Sequence, residues 1–128
     1  MAENRMVTIT PSKKVYNEGE TVEIRVSGKD LRSVNALSFA LPYDPQALEY
    51  VGTEMTGMKE MRNLTNDRLH TNGTKALYPT FVNIGEKPYL EGDAELMTIK
   101  FKAKRKQKID LNVLDGMLVD KNLNTVKF

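Results

Sequence analysis

Short runs in which apolar and polar residues alternate recur along the whole chain, and apolar residues at helical spacing are scarce. In "TVEIRVSG", residues 21–28, Val22, Ile24 and Val26 share one face while Thr21, Glu23 and Arg25 share the other, as in a strand with one side buried. "VNALSFALPY", residues 34–43, puts Leu37, Phe39, Leu41 and Tyr43 on one side and Ala36, Ser38, Ala40 and Pro42 on the other. That second side is small and bare. "VTITP" (7–11), "ALEYVGTEM" (47–55), "RLHT" (68–71), "KALYPTFVNI" (75–84), "ELMTIKFKAK" (95–104) and "KIDLNVL" (108–114) also read as strands, and "GMLVDKNLNTVKF" closes as a hairpin. Turn signals separate them: "NEGE" at 17–20, Tyr43-Asp44-Pro45, and Asn72-Gly73, a pair suited to a tight hairpin because both residues accept positive φ. "TGMKEMRNLTND" (56–67) reads as a Met-rich loop or at most one helical turn.

About nine strands, or ten, so evenly spaced and with no intervening helix of useful length predict an all-β fold, a two-sheet antiparallel β-sandwich. Each half-buried sheet covers its apolar face with the other. Pro45 cannot extend a strand and Asp44 can bond turn amides, so the chain is expected to cross between sheets there, with the Tyr43 ring buried and its hydroxyl at the rim. The expected seal consists of Phe39, Leu41, Phe101 and Leu111.

Composition narrows the function classes. The chain has 128 residues, 40% hydrophobic and 28% charged, which suits one globular domain with one core; residues 1–128 read as a single module, and the Met-Ala start reads as excision from a larger multimodular protein. No apolar run reaches the roughly 18 residues of a membrane span. Nineteen basic against seventeen acidic residues leave +2, too balanced to imply a nucleic-acid partner. The absence of cysteine removes disulfides and thiol chemistry.

The motifs favour structure over chemistry. In "KFKAKRKQK" (100–108), Ile99, Phe101 and Ala103 point inward while Lys100, Lys102 and Lys104 line the solvent face and Arg105, Lys106 and Lys108 follow in a turn. This is a solvated strand that resists edge pairing, without aromatics for base stacking. "DKNLN" (120–124) starts like a calcium loop, but Thr125 stands where the sharp turn needs glycine and no twelfth-position Glu follows; a plain β-turn is expected and no metal or cofactor. His70, the single histidine, reads as a strand-surface residue and rules out multi-histidine sites. The carboxylates Asp44, Glu49, Asp67, Asp93, Glu95, Asp110 and Asp115 show no spacing diagnostic of catalysis, so no enzyme activity is expected. Asn63 and Asn72 begin glycosylation-type triplets, a short signal that matters only in a eukaryotic secretory pathway. For carbohydrate stacking there is no tryptophan, and Tyr16, Tyr78 and Tyr89 are the remaining platforms.

The order "F-x-L-x-Y-D-P", a short step and "LEYV", together with "GETVEIRVSG", "GDAELMTIKFKAK" and "GMLVDKNLNTV", resembles the bacterial cohesin domain over nearly the whole chain. The resemblance implies jelly-roll topology, an extracellular or cell-surface bacterial location, and a non-catalytic module that receives a dockerin or other helical partner in assemblies of carbohydrate-active enzymes. It places the partner on the flat sheet corresponding to 34–43, 67–72, 75–84 and 108–115. On that sheet Ala36, Ser38, Ala40, Tyr78, Thr80, Asp110, Asn112 and Leu114 are the expected partner-binding residues, with Ala76 and Val82 also outward. Small residues stand at Ala36, Ser38 and Ala40 where many cohesins carry a polar pair, and a flat patch with a polar rim suits an amphipathic helix. The alternative is an accessory or carbohydrate-binding sandwich of a glycoside hydrolase, packing on the parent enzyme or holding a glycan.

Overall fold

In a computed structural model that describes residues 6–57, 61–69, 73–83 and 89–128, the alternating runs form twelve antiparallel strands. They are β1 (Val7–Pro11), β2 (Val15–Tyr16), β3 (Thr21–Tyr43), β4 (Leu48–Met55), β5 (Met61–Asn63), β6 (Asn66–Leu69), β7 (Lys75–Tyr78), β8 (Thr80–Asn83), β9 (Leu90–Ala103), β10 (Gln107–Lys108), β11 (Leu114–Asp120) and β12 (Thr125–Lys127). His70 and Asn72, assigned above to a strand surface and a hairpin, lie outside the described residues.

The two runs expected at 21–28 and 34–43 are one strand of 23 residues. Its first half pairs with β1 and β9, and β9 pairs onward with β4, which makes the first layer. Its second half pairs with β11, β7 and β8, and β12, β6 and β5 extend that second layer. Between the halves the β3–β9 register shifts three times, at Val26/Ser27, Gly28/Leu31 and Leu31/Val34, with Asp30 and Ser33 at φ 54° and 48°. Even-numbered residues face the core before these bulges and odd-numbered ones after them: Val22, Ile24 and Val26, then Leu37, Phe39, Leu41 and Tyr43 are all buried.

A single core cluster joins the layers. Phe101 sits at its centre, fully buried, with the Tyr43 and Tyr50 rings edge-on at 5.0 and 5.8 Å. Phe39 and Leu41 seal the core as expected, whereas Leu111 is only half-buried, because residues 109–113 belong to no strand and the 108–114 strand reduces to Lys108 in β10 and Leu114 in β11. Pairing of β10 with β2, unforeseen in so short a segment, ends that run early. β9 is flanked on both sides, so its lysines do not guard an edge as the sequence suggested. Instead Lys100 lies 3.1 Å from Glu54, which raises the lysine pKa through that hydrogen bond and charge.

The Tyr43-Asp44-Pro45 corner takes the chain from β3 in the second layer to β4 in the first. Asp44 accepts from the Gln46 amide at 2.9 Å through its carboxylate, and its carbonyl accepts from Ala47 and Leu48 at 3.0 Å each. Tyr43 donates its hydroxyl to Asp67 on β6 at 2.7 Å, and Asp67 pairs with Lys75 on β7 at 2.8 Å. Burial, then the bond to Asp67, pushes the Tyr43 hydroxyl above the usual phenol range. Replacing Phe101 by Ala is expected to cost about 3–5 kcal/mol in denaturant unfolding, and Tyr43→Phe about 1.5–3 kcal/mol, the worth of one hydrogen bond to a charged group.

Candidate functional site

The outer side of the second layer is built in rows by the β-ladder register. One row runs Arg62, Val82, Ala36, Val119 and Thr125 across β5, β8, β3, β11 and β12. The next runs Thr80, Ser38, Met117 and Lys127. The flanking pairs set Tyr78 opposite Ala40, whose other neighbour is Leu114. Small residues on β3 with modest ones beside them make a level surface, since in a strand every second side chain stands out from the same face.

Of the residues assigned from sequence, Ala36 and Ser38 are half-buried in these rows and Leu114 is 46% exposed. Ala40 departs from expectation: it is outward by register but only 4% exposed, because its methyl group sits between the larger Tyr78 and Leu114. Ala76 departs in the same way, at 0%, flanked in the ladder by Pro42 and Arg68. Tyr78 is half-buried with the Arg68 guanidinium 4.8 Å above its ring. Thr80 is half-buried and its hydroxyl bends back to donate to the Tyr78 carbonyl at 3.1 Å. Asp110 and Asn112 are exposed, on the irregular segment before β11 rather than on a strand. Val82 is half-buried and outward as assigned.

Sequence reasoning missed Met117, Val119 and Lys127. Between the Leu114–Ala40 and Met117–Ser38 pairs β11 carries one extra residue, a bulge with Asp115 at φ 51°. That extra residue reverses the alternation, so a strict period of two from residue 108 assigns the wrong side after 114. Asp115-Gly116 was the available signal, a pair favoured where the chain needs positive φ. Ser38, Asp115, Gly116, Met117, Lys127 and Phe128 line a shallow depression there. The Phe128 ring occupies the space a side chain at Gly116 would need, and its amide donates to the Gly116 carbonyl at 3.0 Å.

Among the described residues no cluster of three acids or histidines is placed to hold a metal. Asp120 closes the β11–β12 turn: its carboxylate accepts from the Asn122 and Asn124 amides at 2.9 Å each, and the Asn124 amide first among these holds the carboxyl below its usual range. The "DKNLN" stretch is thus a turn, as expected. Tyr16 offers no stacking platform, being fully buried with its hydroxyl bonded to Ser12 at 2.8 Å, while Tyr89 is 42% exposed.

The family model described as "Cohesin domain" matches residues 6–128. The chain belongs to the cohesin family. Cohesins are a non-catalytic binding family, and solved structures show the same β-sandwich. This cohesin is similar to the cohesin module of a family 33 glycoside hydrolase from Clostridium perfringens ATCC13124, at TM-score 0.70 and 15% identity over 95% of this chain and 87% of that one. It is similar to the sixth cohesin of Acetivibrio cellulolyticus scaffoldin B, solved in complex with a mutant Cel5 dockerin, at TM-score 0.64 and 17% identity over 87% and 84% of the two chains. A non-cellulosomal cohesin from the archaeon Archaeoglobus fulgidus gives TM-score 0.66 and 17% identity over 96% and 84%. No curated protein matches the chain. In this cohesin, Gly116→Ala is expected to lower stability by about 1–3 kcal/mol through overpacking, and a double-mutant cycle should show the same change costing little once Phe128→Ala has vacated the space.

Proposed function

We propose that this cohesin is a non-catalytic docking module, one part of a longer multimodular protein, that receives a dockerin or similar helical partner in the extracellular or cell-surface assembly of bacterial carbohydrate-active enzymes. The observation that carries the proposal is the outer face of β8, β3 and β11. Its centre is Ala36, Ser38, Val82, Met117 and Val119, with no charge among them, and ionic side chains stand at the rim, Arg62 on β5 and Lys127 on β12. An uncharged centre with a polar rim is the usual anatomy of a protein interface. Small side chains let a helix approach closely, and Leu114 and Met117, 46% and 38% exposed, supply apolar anchors. The solved dockerin complex of a cohesin with the same fold supports this choice of partner. Calcium, where a dockerin uses it, belongs to the partner.

The likeness to a cohesin module of a glycoside hydrolase favours a second reading, a sandwich that packs on its own parent enzyme. Its glycan-binding form is the weaker, because Tyr16 is buried and one face of Tyr78 lies under Arg68.

Calorimetry against the dockerins of the parent genome tests the main proposal. At least one should bind, and Ala36→Arg or Met117→Arg should weaken it by about 30-fold or more, a hot-spot loss, without lowering the melting temperature. No binding across the panel, or full affinity in both variants, contradicts it.

A further inference from the structure

A second surface lies at one end of the sandwich. The two-residue strands β2 and β10 pair there, Gln107 with Tyr16 and Lys108 with Val15, and so join segments 11–16 and 104–110. Together these segments hold Lys13, Lys14, Lys104, Arg105, Lys106 and Lys108 against one carboxylate, Asp110. Lys13 is paired with Glu20 at 2.6 Å and Arg105 with Asp44 at 3.4 Å, and Lys104 donates to the Pro45 carbonyl at 2.8 Å. Lys14, Lys106 and Lys108 are exposed and have no carboxylate within ion-pair distance among the described residues. An open depression lined by Pro11, Ser12, Lys13, Lys14, Lys108 and Ile109 lies between the two segments.

Hydrogen bonds fix the backbone on one side of the depression. The Ser12 amide donates to the Glu23 carbonyl at 3.0 Å, and the Tyr16 hydroxyl takes up the Ser12 hydroxyl at 2.8 Å and the Lys13 amide at 3.0 Å. Lys14 and Lys108 both line the depression without a carboxylate partner, and an anion between like charges lowers their repulsion. We infer that this end of the module binds an anionic glycan polymer, one with regularly spaced carboxylate or phosphate groups. Lysine ammonium groups suit single anionic oxygens met one at a time, in contrast to the two-point fork of arginine. The one aromatic in these segments is Tyr16, fully buried, so nucleic-acid bases find no stacking surface. The site is separate from the docking face and does not depend on the docking proposal: binding here leaves Ala36, Ser38 and Met117 free.

Affinity electrophoresis of the whole chain tests this, in gels containing polygalacturonate, phosphomannan, neutral xylan or duplex DNA. Retardation is expected on one or both anionic glycan polymers, with the carboxylate and phosphate gels telling the two sources apart, and none on xylan. The triple variant Lys14→Gln, Lys106→Gln, Lys108→Gln should lose about tenfold or more in affinity, and about 0.5 M salt should abolish retardation, as expected when binding releases counterions. A control with Lys29→Gln and Lys121→Gln, both exposed and outside the two segments, should behave as the unaltered chain, and thermal melts should match across all three proteins. The inference is overturned if neither anionic glycan retards the chain, if the triple variant binds as tightly as the control, or if duplex DNA is held more tightly than both polymers.

Discussion

Everything in this molecule depends on β3 serving both layers. Five of the other eleven strands pair with it directly, so its bend sets the angle between the sheets and its parity sets which side chains enter the core. A straight strand of 23 residues would expose either Val22, Ile24 and Val26 or Leu37, Phe39 and Leu41. The bulges between Val26 and Val34 remove that conflict at the cost of two non-glycine residues at positive φ, Asp30 and Ser33. Hydrogen bonds stabilise the bend: the Asp30 amide donates to the Asp93 carboxylate at 2.8 Å and the Ser33 hydroxyl to the Glu91 carboxylate at 2.7 Å. The latter bond holds the Glu91 carboxyl below its ordinary range.

The same parity that buries Leu37, Phe39 and Leu41 leaves Ala36 and Ser38 on the outside. A level outer face is therefore a by-product of core packing, and small residues there cost the core nothing. Because the face is laid on a paired sheet, docking there as proposed would leave little ordering to be done, which would reduce the cost of association. The other layer differs in kind. Its outer side carries Glu23, Arg25, Lys100, Glu54 and Glu95, with ion pairs at Lys100–Glu54 and Arg25–Glu95, a solvated face whose charges have partners close by.

Most of the fold was legible because alternation is a direct image of one-sided burial. The Tyr43-Asp44-Pro45 corner, the Gly19 turn and the inward set on β9 follow from residue chemistry alone. What stayed hidden was whatever breaks the period of two. The β3 bend looked like a gap between two strands, since Gly28 and the polar "KDLRS" after it interrupt the alternation, whereas the pairing with β9 continues across them. Across β11 the bulge at Asp115 turned Met117 outward against the extrapolated pattern. Ala40 and Ala76 show a second limit: alternation states which way a side chain points, but exposure depends on the size of its cross-strand neighbours. The pairing of β2 with β10 joins segments some ninety residues apart, and no local pattern encodes it.

The most direct test of docking through the second layer uses the methionine methyl groups as reporters. With methyl-labelled methionine, a bound dockerin should shift the Met117 signal, which lies on the outer face beside Ser38, and leave Met55 and Met97, paired with each other across β4 and β9 in the opposite layer, where they were. Movement of Met55 or Met97 with Met117 unchanged would place the partner on the wrong sheet and contradict the account.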